Sequence, residues 1–168
     1  RGFSFRNDGP LDMRMDRSKG ITAASLVNTI DEGSLIGVLR RNSDERQAPR
    51  IAKAIVANRP FSTTGQLAEV VRDAVPAAVR RKGGHPARKT FQALRIEINE
   101  ELDILEDAIQ QALDLLAPEG RCAVLSYHSG EDRIVKRLFR DEAGEAPRLR
   151  PELPPPPGNE PTVRLLWR

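Results

Sequence analysis

Pro118-Glu119-Gly120-Arg121-Cys122-Ala123-Val124-Leu125-Ser126-Tyr127-His128-Ser129-Gly130-Glu131-Asp132-Arg133-Ile134-Val135 is the stretch whose reading decides the fold class. Its Pro-x-Gly opening stops whatever precedes it, and Arg121 to Tyr127 then reads as a short buried strand. From Ser129 to Arg140 the period changes, with Ile134, Val135, Leu138 and Phe139 at helical spacing. Upstream, Phe91, Leu94, Ile98, Leu102, Leu105, Ile109, Ala112 and Leu116 step by three or four residues. That register predicts one helix of about 27 residues from Thr90, roughly 40 Å long. A helix, a tight turn, a buried strand and a second helix are the later part of an open α/β sheet. Ligands bind such sheets at the carboxyl edge of the strands, so His128 and Ser129 become candidates for lining a pocket. Packing explains His128 equally well. Ser129-x-x-Asp132 also fits a capping box, in which these residues hold only the helix start. A metal at His128 and Asp132 would need further ligands that nothing in the sequence nominates.

Before this unit lies a different pattern. Thr22 can cap a helix carrying Ala24, Leu26, Val27 and Ile30, and Asp31 a second with Leu35, Ile36, Val38 and Leu39. A third is expected from about Ser43 up to Pro60, and a fourth from Thr63 or Thr64 to Pro76. Residues 20–80 therefore read as a small all-helical domain. Residues 1–19 read as an ordered loop whose Asp12, Arg14 and Asp16 either pair internally or meet a polar ligand. Arg80-Arg81-Lys82-Gly83-Gly84-His85-Pro86-Ala87-Arg88-Lys89 is basic and broken by glycine, a linker between the two patterns. Its cations suit phosphates, and its glycines let a backbone approach them closely. A solvated loop after a helix end is the plain alternative. Gln92, Arg95 and Asn99 share a polar helix face beside it. Asp141 to Pro161, with its proline run, is expected to be an extended loop, and Thr162 to Trp167 a last strand.

Composition sets the bounds. The chain has 168 residues, 39% of them hydrophobic, enough for a packed core. Its apolar runs are far shorter than the roughly 18 to 20 residues a membrane helix requires, so no membrane association is expected. The single cysteine excludes an internal disulfide framework and a cysteine-built zinc site, which points to a cytoplasmic setting. Lysines number only five among 27 basic residues, the rest being arginine. Arginine's planar fork suits phosphates and bases, although a GC-rich genome would leave the same mark.

Three blocks together carry a resemblance: Arg1 to Asp16 (RGFSFRNDGPLDMRMD), His85 to Leu102 (HPARKTFQALRIEINEEL) and Glu119 to Lys136 (EGRCAVLSYHSGEDRIVK). They resemble the ribosomal RNA small subunit methyltransferase H family, in order and over nearly the whole chain. The resemblance implies an α/β class, a partial Rossmann-like class I methyltransferase fold interrupted by an inserted all-helical domain. It implies that residues 1–19 are a loop of the catalytic domain, 20–80 the insertion, 81–89 a basic linker and 90–168 the C-terminal part of the methyltransferase domain. The implied reaction is S-adenosylmethionine-dependent N4-methylation of a cytidine in the decoding region of 16S ribosomal RNA. The family's glycine-rich cofactor loop and its ribose-binding acid have no counterpart here. The chain therefore reads as a fragment expected to bind no S-adenosylmethionine alone, and its catalytic groups stay unassigned. His128 and Ser129 are the base-pocket candidates. Arg80, Arg81, Lys82, Arg88 and Lys89 are expected on RNA phosphates. The expected partner is 16S ribosomal RNA or the small ribosomal subunit, and a homodimer is a further expected assembly, because helix faces at Leu94 to Leu116 and Ile134 to Phe139 would lack sheet to cover. The competing reading is a non-enzymatic RNA-binding or scaffold module. Departures from the family pattern are Gln47, Tyr127 and Gly130.

Overall fold

The computed structural model describes residues 2–81, 84–145 and 161–166. Lys82, Gly83, the Pro154 to Pro157 run and Trp167 lie outside these residues. The chain divides into two compact units, Arg1–Glu101 and Leu102–Arg168. The described residues are mostly helical, and their only β pairing is an isolated antiparallel bridge between Pro10 and Thr63.

The first unit holds α1 (Ala23–Thr29), α2 (Glu32–Ser43), α3 (Ala48–Ala57), α4 (Thr64–Ala74), the short α5 (Ala77–Arg80) and α6 (Ala87–Asn99). Local chemistry sets the starts of three of them. Thr22 Oγ1 accepts from Ser25 N at 3.1 Å, and Asp31 Oδ1 accepts from Ser34 N at 2.9 Å. Thr63 and Gln66 form a reciprocal capping box. The third helix starts later than its expected Ser43, because α2 runs on to Ser43 and ends at Asp44 in the left-handed region. α2 packs on α6 and α3, and α4 on α3 and α6. Leu35, Leu39, Ile51, Ile55, Leu67, Val71 and Leu94 are fully buried between them.

The opening loop is part of this core. Leu11 and Met13 are buried, and the backbone is stitched on both sides: Leu11 N donates to Ser62 O at 3.0 Å and Ala23 N to Asp12 O at 2.7 Å. Gly2, at φ +72°, lies so close that a Cβ would stand 2.2 Å from Pro10 O. Met13 also has positive φ, 62°, a conformation costing a non-glycine residue about 1 to 2 kcal/mol. Asn99 offsets it: its Nδ2 donates to Met13 O at 2.9 Å and its Oδ1 accepts from Met15 N at 2.8 Å.

The single long helix expected from Thr90 is two helices. α6 ends at Asn99, Glu100 turns left-handed at φ 51°, and α7 spans Glu101–Asp114. The tertiary clamp at Asn99 and the Arg95–Glu101 ion pair at 2.8 Å fix the break. α6 also starts within the expected linker, at Ala87. The compact unit therefore ends at Glu101, whereas the composition changes at Arg80 to Lys89. The expected exposure of the Leu94 face does not occur, since Phe91, Leu94 and Ile96 are buried.

The second unit holds α7 and α8 (Ser129–Glu142), tied by Arg137 to Glu106 at 2.7 Å and Gln110 to Glu142 at 3.3 Å. Among its described residues Ile109 and Leu138 are the buried hydrophobic side chains. Arg121 to Tyr127, expected as a buried strand, forms no ladder, because no neighbouring strand is present among the described residues to complete its hydrogen bonds. Its side chains nevertheless alternate: Cys122, Val124 and Ser126 are half-buried while Ala123, Leu125 and Tyr127 are exposed. Asp141 and Glu142 belong to α8 rather than to the loop expected there, and Thr162 to Leu166 form no strand.

Candidate functional site

Two places carry the residues singled out above. In the first unit a groove of about 360 Å³ is lined by Glu45, Arg46, Gln47, Val75, Val79, Arg80, Gly84, His85, Pro86, Arg88 and Lys89. Of the expected phosphate-binding residues, Arg80, Arg88 and Lys89 meet there. Arg81 is exposed but does not line the groove, and Lys82 is outside the described residues. Arg80 Nη1 lies 3.8 Å from Asp73 Oδ1. Lys89 Nζ donates to Asp44 O at 3.1 Å, so this ammonium also braces the end of α2.

The start of α6 explains how the cations come together. His85 Nδ1 accepts from Ala87 N at 3.2 Å, and Arg88 N donates to His85 O at 3.0 Å, which places Arg88 and Lys89 in the first helical turn. The His85 ring is held by stacking on Phe5, centroids 4.7 Å apart and 20° between planes, and Phe5 meets Phe91 edge-on at 5.8 Å. Glu45 and Arg46 were not legible as site residues. They come from the α2–α3 turn, about 40 residues before the basic run, and only the packing of α2 on α6 brings them to it.

The second place is the start of α8. His128, in extended backbone at φ −149°, is the N-cap: its Nδ1 accepts from Gly130 N at 3.2 Å and Glu131 N at 3.4 Å. Glu131 Oε2 in turn accepts from Tyr127 N at 2.7 Å. This corrects the capping box expected at Ser129, since Ser129 is the first helical residue and Asp132 pairs with Lys136 at 2.9 Å. An accepting Nδ1 leaves the proton of the neutral ring on Nε2, which is buried 3.4 Å from Glu131 Oε1 without a hydrogen bond. Gly130 permits the arrangement: a Cβ there would stand 3.1 Å from His128 Nδ1 and Cε1, tighter than most real contacts.

The remaining polar sets are internal. Asp12 pairs with Arg14 at 2.7 Å and Arg17 at 3.3 Å, and the Arg14 guanidinium holds the Asp12 carboxyl below its ordinary range against the opposing effect of burial. Asp16 accepts from Ser18 N and Oγ. Among the described residues no group of three His, Cys, Asp or Glu side chains could hold a metal ion, and no helix is long and apolar enough to cross a membrane.

An arginine-lined groove on a helical unit, joined in sequence to a strand-like segment with a helix capped at its end, fits the methyltransferases as a class, and comparison with known proteins agrees. The chain belongs to the MraW methylase family, whose model matches residues 1–166. Relatives named ribosomal RNA small subunit methyltransferase H include proteins of Parafrankia sp., 51% identical over all of this chain and 52% of theirs, and of Frankia casuarinae, 53% identical over all of this chain and 53% of theirs. That of Renibacterium salmoninarum is 57% identical over 83% of this chain and 43% of its own. The chain thus spans about half the length of the curated relatives it matches.

Proposed function

We propose that these residues form part of an S-adenosylmethionine-dependent methyltransferase acting on N4 of a cytidine in the decoding region of 16S ribosomal RNA. The family match over residues 1–166 is the observation that carries this reading. Within it, residues 20–80 are an insertion that holds RNA, residues 1–19 and 90–168 belong to the catalytic domain, and residues 81–89 connect them. The gathered cations suit RNA phosphates, with Arg80 and Arg88 in direct contact and Lys89 steadying the turn beside them. The same cations do not fit S-adenosylmethionine, whose sulfonium is itself positive. We therefore place the methyl donor on parts of the relatives' length that this chain does not span.

What these residues contribute to the reaction is orientation. Holding the target amine in line with a methyl donor converts an encounter into a positioned reaction, a gain of several orders of magnitude in enzymes generally. His128 and Ser129 stand where a strand end meets a helix, and in this reading they line the base pocket. Because His128 Nδ1 is committed to the cap, its contact to a base is made by Nε2 or the ring face.

The test is a chimera in which these 168 residues replace the matching stretch of the Frankia casuarinae relative, incubated with labelled S-adenosylmethionine and small ribosomal subunits. N4-methylcytidine, identified by mass spectrometry of digested RNA, is the expected product. A chimera that folds and binds RNA but forms no N4-methylcytidine refutes the enzymatic reading in favour of an RNA-binding module.

A further inference from the structure

We propose that the groove lined by the α2–α3 turn, α5 and the start of α6 seats one unpaired RNA nucleotide. Its base lies on Val75 and Val79 with an amino-bearing edge toward Glu45, and its phosphate lies on Arg46 and Arg88. The proposal rests on the RNA-binding reading above and adds what the groove selects.

Phosphate contacts alone need only exposed cations, but this groove holds two further kinds of surface. Its rim carries the exposed Arg46 and Arg88, while inside it Val75 is 5% exposed, Val79 45% and Glu45 8%. A cleft of about 360 Å³ with cationic rim and apolar lining matches a nucleotide, whose base has apolar faces and whose phosphate is anionic. Duplex RNA keeps its base faces stacked and its deep groove closed to side chains, so only an unpaired base can enter.

Glu45 supplies the selection. A nearly buried carboxylate is an acceptor with room for about four hydrogen bonds, and Oε1 takes one, from Gln47 N at 2.7 Å. It favours base edges that present an amino group, as cytosine, adenine and guanine do, and disfavours uracil, whose single N–H is flanked by carbonyl oxygens. The seat is prepared in advance. The His85 ring is fixed by Phe5 and by Ala87 N, which reduces the ordering required on binding. Arg88 and Lys89 stand in the first turn of α6, which holds no acidic residue, so the helix dipole opposes them until an anion binds.

The full chain is titrated by fluorescence anisotropy against short labelled oligocytidylate, oligoadenylate, oligouridylate and a short RNA duplex. Oligocytidylate and oligoadenylate are expected to bind about fivefold more tightly than oligouridylate, the effect of one selective hydrogen bond, and more tightly than duplex. Glu45→Gln should bring them to the oligouridylate level without weakening oligouridylate. Arg46→Ala with Arg88→Ala, both at exposed positions, should weaken all single strands about tenfold. Duplex bound as tightly as single strands, or equal affinity for all three oligomers, overturns the seat while leaving RNA binding in place. No RNA binding at all overturns both. Should Glu45→Gln lose helicity by circular dichroism, the wild-type comparison of the three oligomers decides alone.

Discussion

Replacing Asn99 by alanine tests whether the opening loop is held by one side chain. The amide donates to Met13 O at 2.9 Å and Arg95 O at 2.8 Å and accepts from Met15 N at 2.8 Å. Each such bond contributes about 0.5 to 1.5 kcal/mol net. Arg95 O keeps a helical position, and Met15 N lies where water can replace its partner, so Asn99→Ala should cost about 2 kcal/mol rather than the full sum. Urea denaturation of the full chain, followed by far-ultraviolet circular dichroism, measures the loss, and hydrogen exchange at the Met15 amide localises it. Asn99→Asp sharpens the test. It keeps the acceptor for Met15 N but turns a carboxylate toward the Met13 and Arg95 carbonyls, so it should be at least as damaging at neutral pH and recover as that carboxylate is protonated. A loss below about 0.5 kcal/mol, with Met15 exchange unchanged, would show that packing of Leu11 and Met13 alone holds the loop.

Two further outcomes are expected. The carboxyls of Asp12 and Asp8 lie below their ordinary 3.8, held down chiefly by the Arg14 guanidinium and by the Gly65 N–H respectively. A depressed folded value stabilises fully above the unfolded one and is lost as pH falls through the folded one, so the thermal midpoint should drop below about pH 4. Asp12→Asn should flatten that drop, and an unchanged slope would remove Asp12 from the account. At α8, His128→Ala should cost about 1 kcal/mol of helix stability and speed exchange at the Gly130 and Glu131 amides, while His128→Asn, a good N-cap, should restore both. Equal losses in the two variants would mean the imidazole acts by packing and not as a cap.

Helix starts were legible where the cause is local. Thr22, Asp31 and Thr63 each precede an apolar register and bond to the backbone three residues on. The break after Asn99 was not, because Ile98, Leu102 and Leu105 keep helical spacing across it and the cause lies at residues 13 and 15. The cap at His128 was hidden for another reason. Histidine seldom caps, Ser129 beside it often does, and the Gly130 that clears space for the ring reads in sequence only as a weakened helix start. Of the groove, Arg80, Arg88 and Lys89 could be read as a basic run, but Glu45 and Arg46 join them only through packing. The strand-like register of Arg121 to Tyr127 was readable as alternation, which is set within one chain, whereas a ladder needs a second strand.

The stitched loop at residues 2–16 bears on the order of folding. A helical bundle usually assembles from near neighbours and does so fast, yet Met15 waits for an acceptor 84 residues further on and Met13 for a donor 86 residues on. During vectorial synthesis, Leu11 and Met13 emerge well before the surfaces that bury them, and α1 to α5 can form while this loop is still searching. The segment earliest in sequence is thus fixed last, by a closure that waits on the end of α6, so pulsed hydrogen exchange should find the Leu11 and Met15 amides protected later than those of α2 and α3.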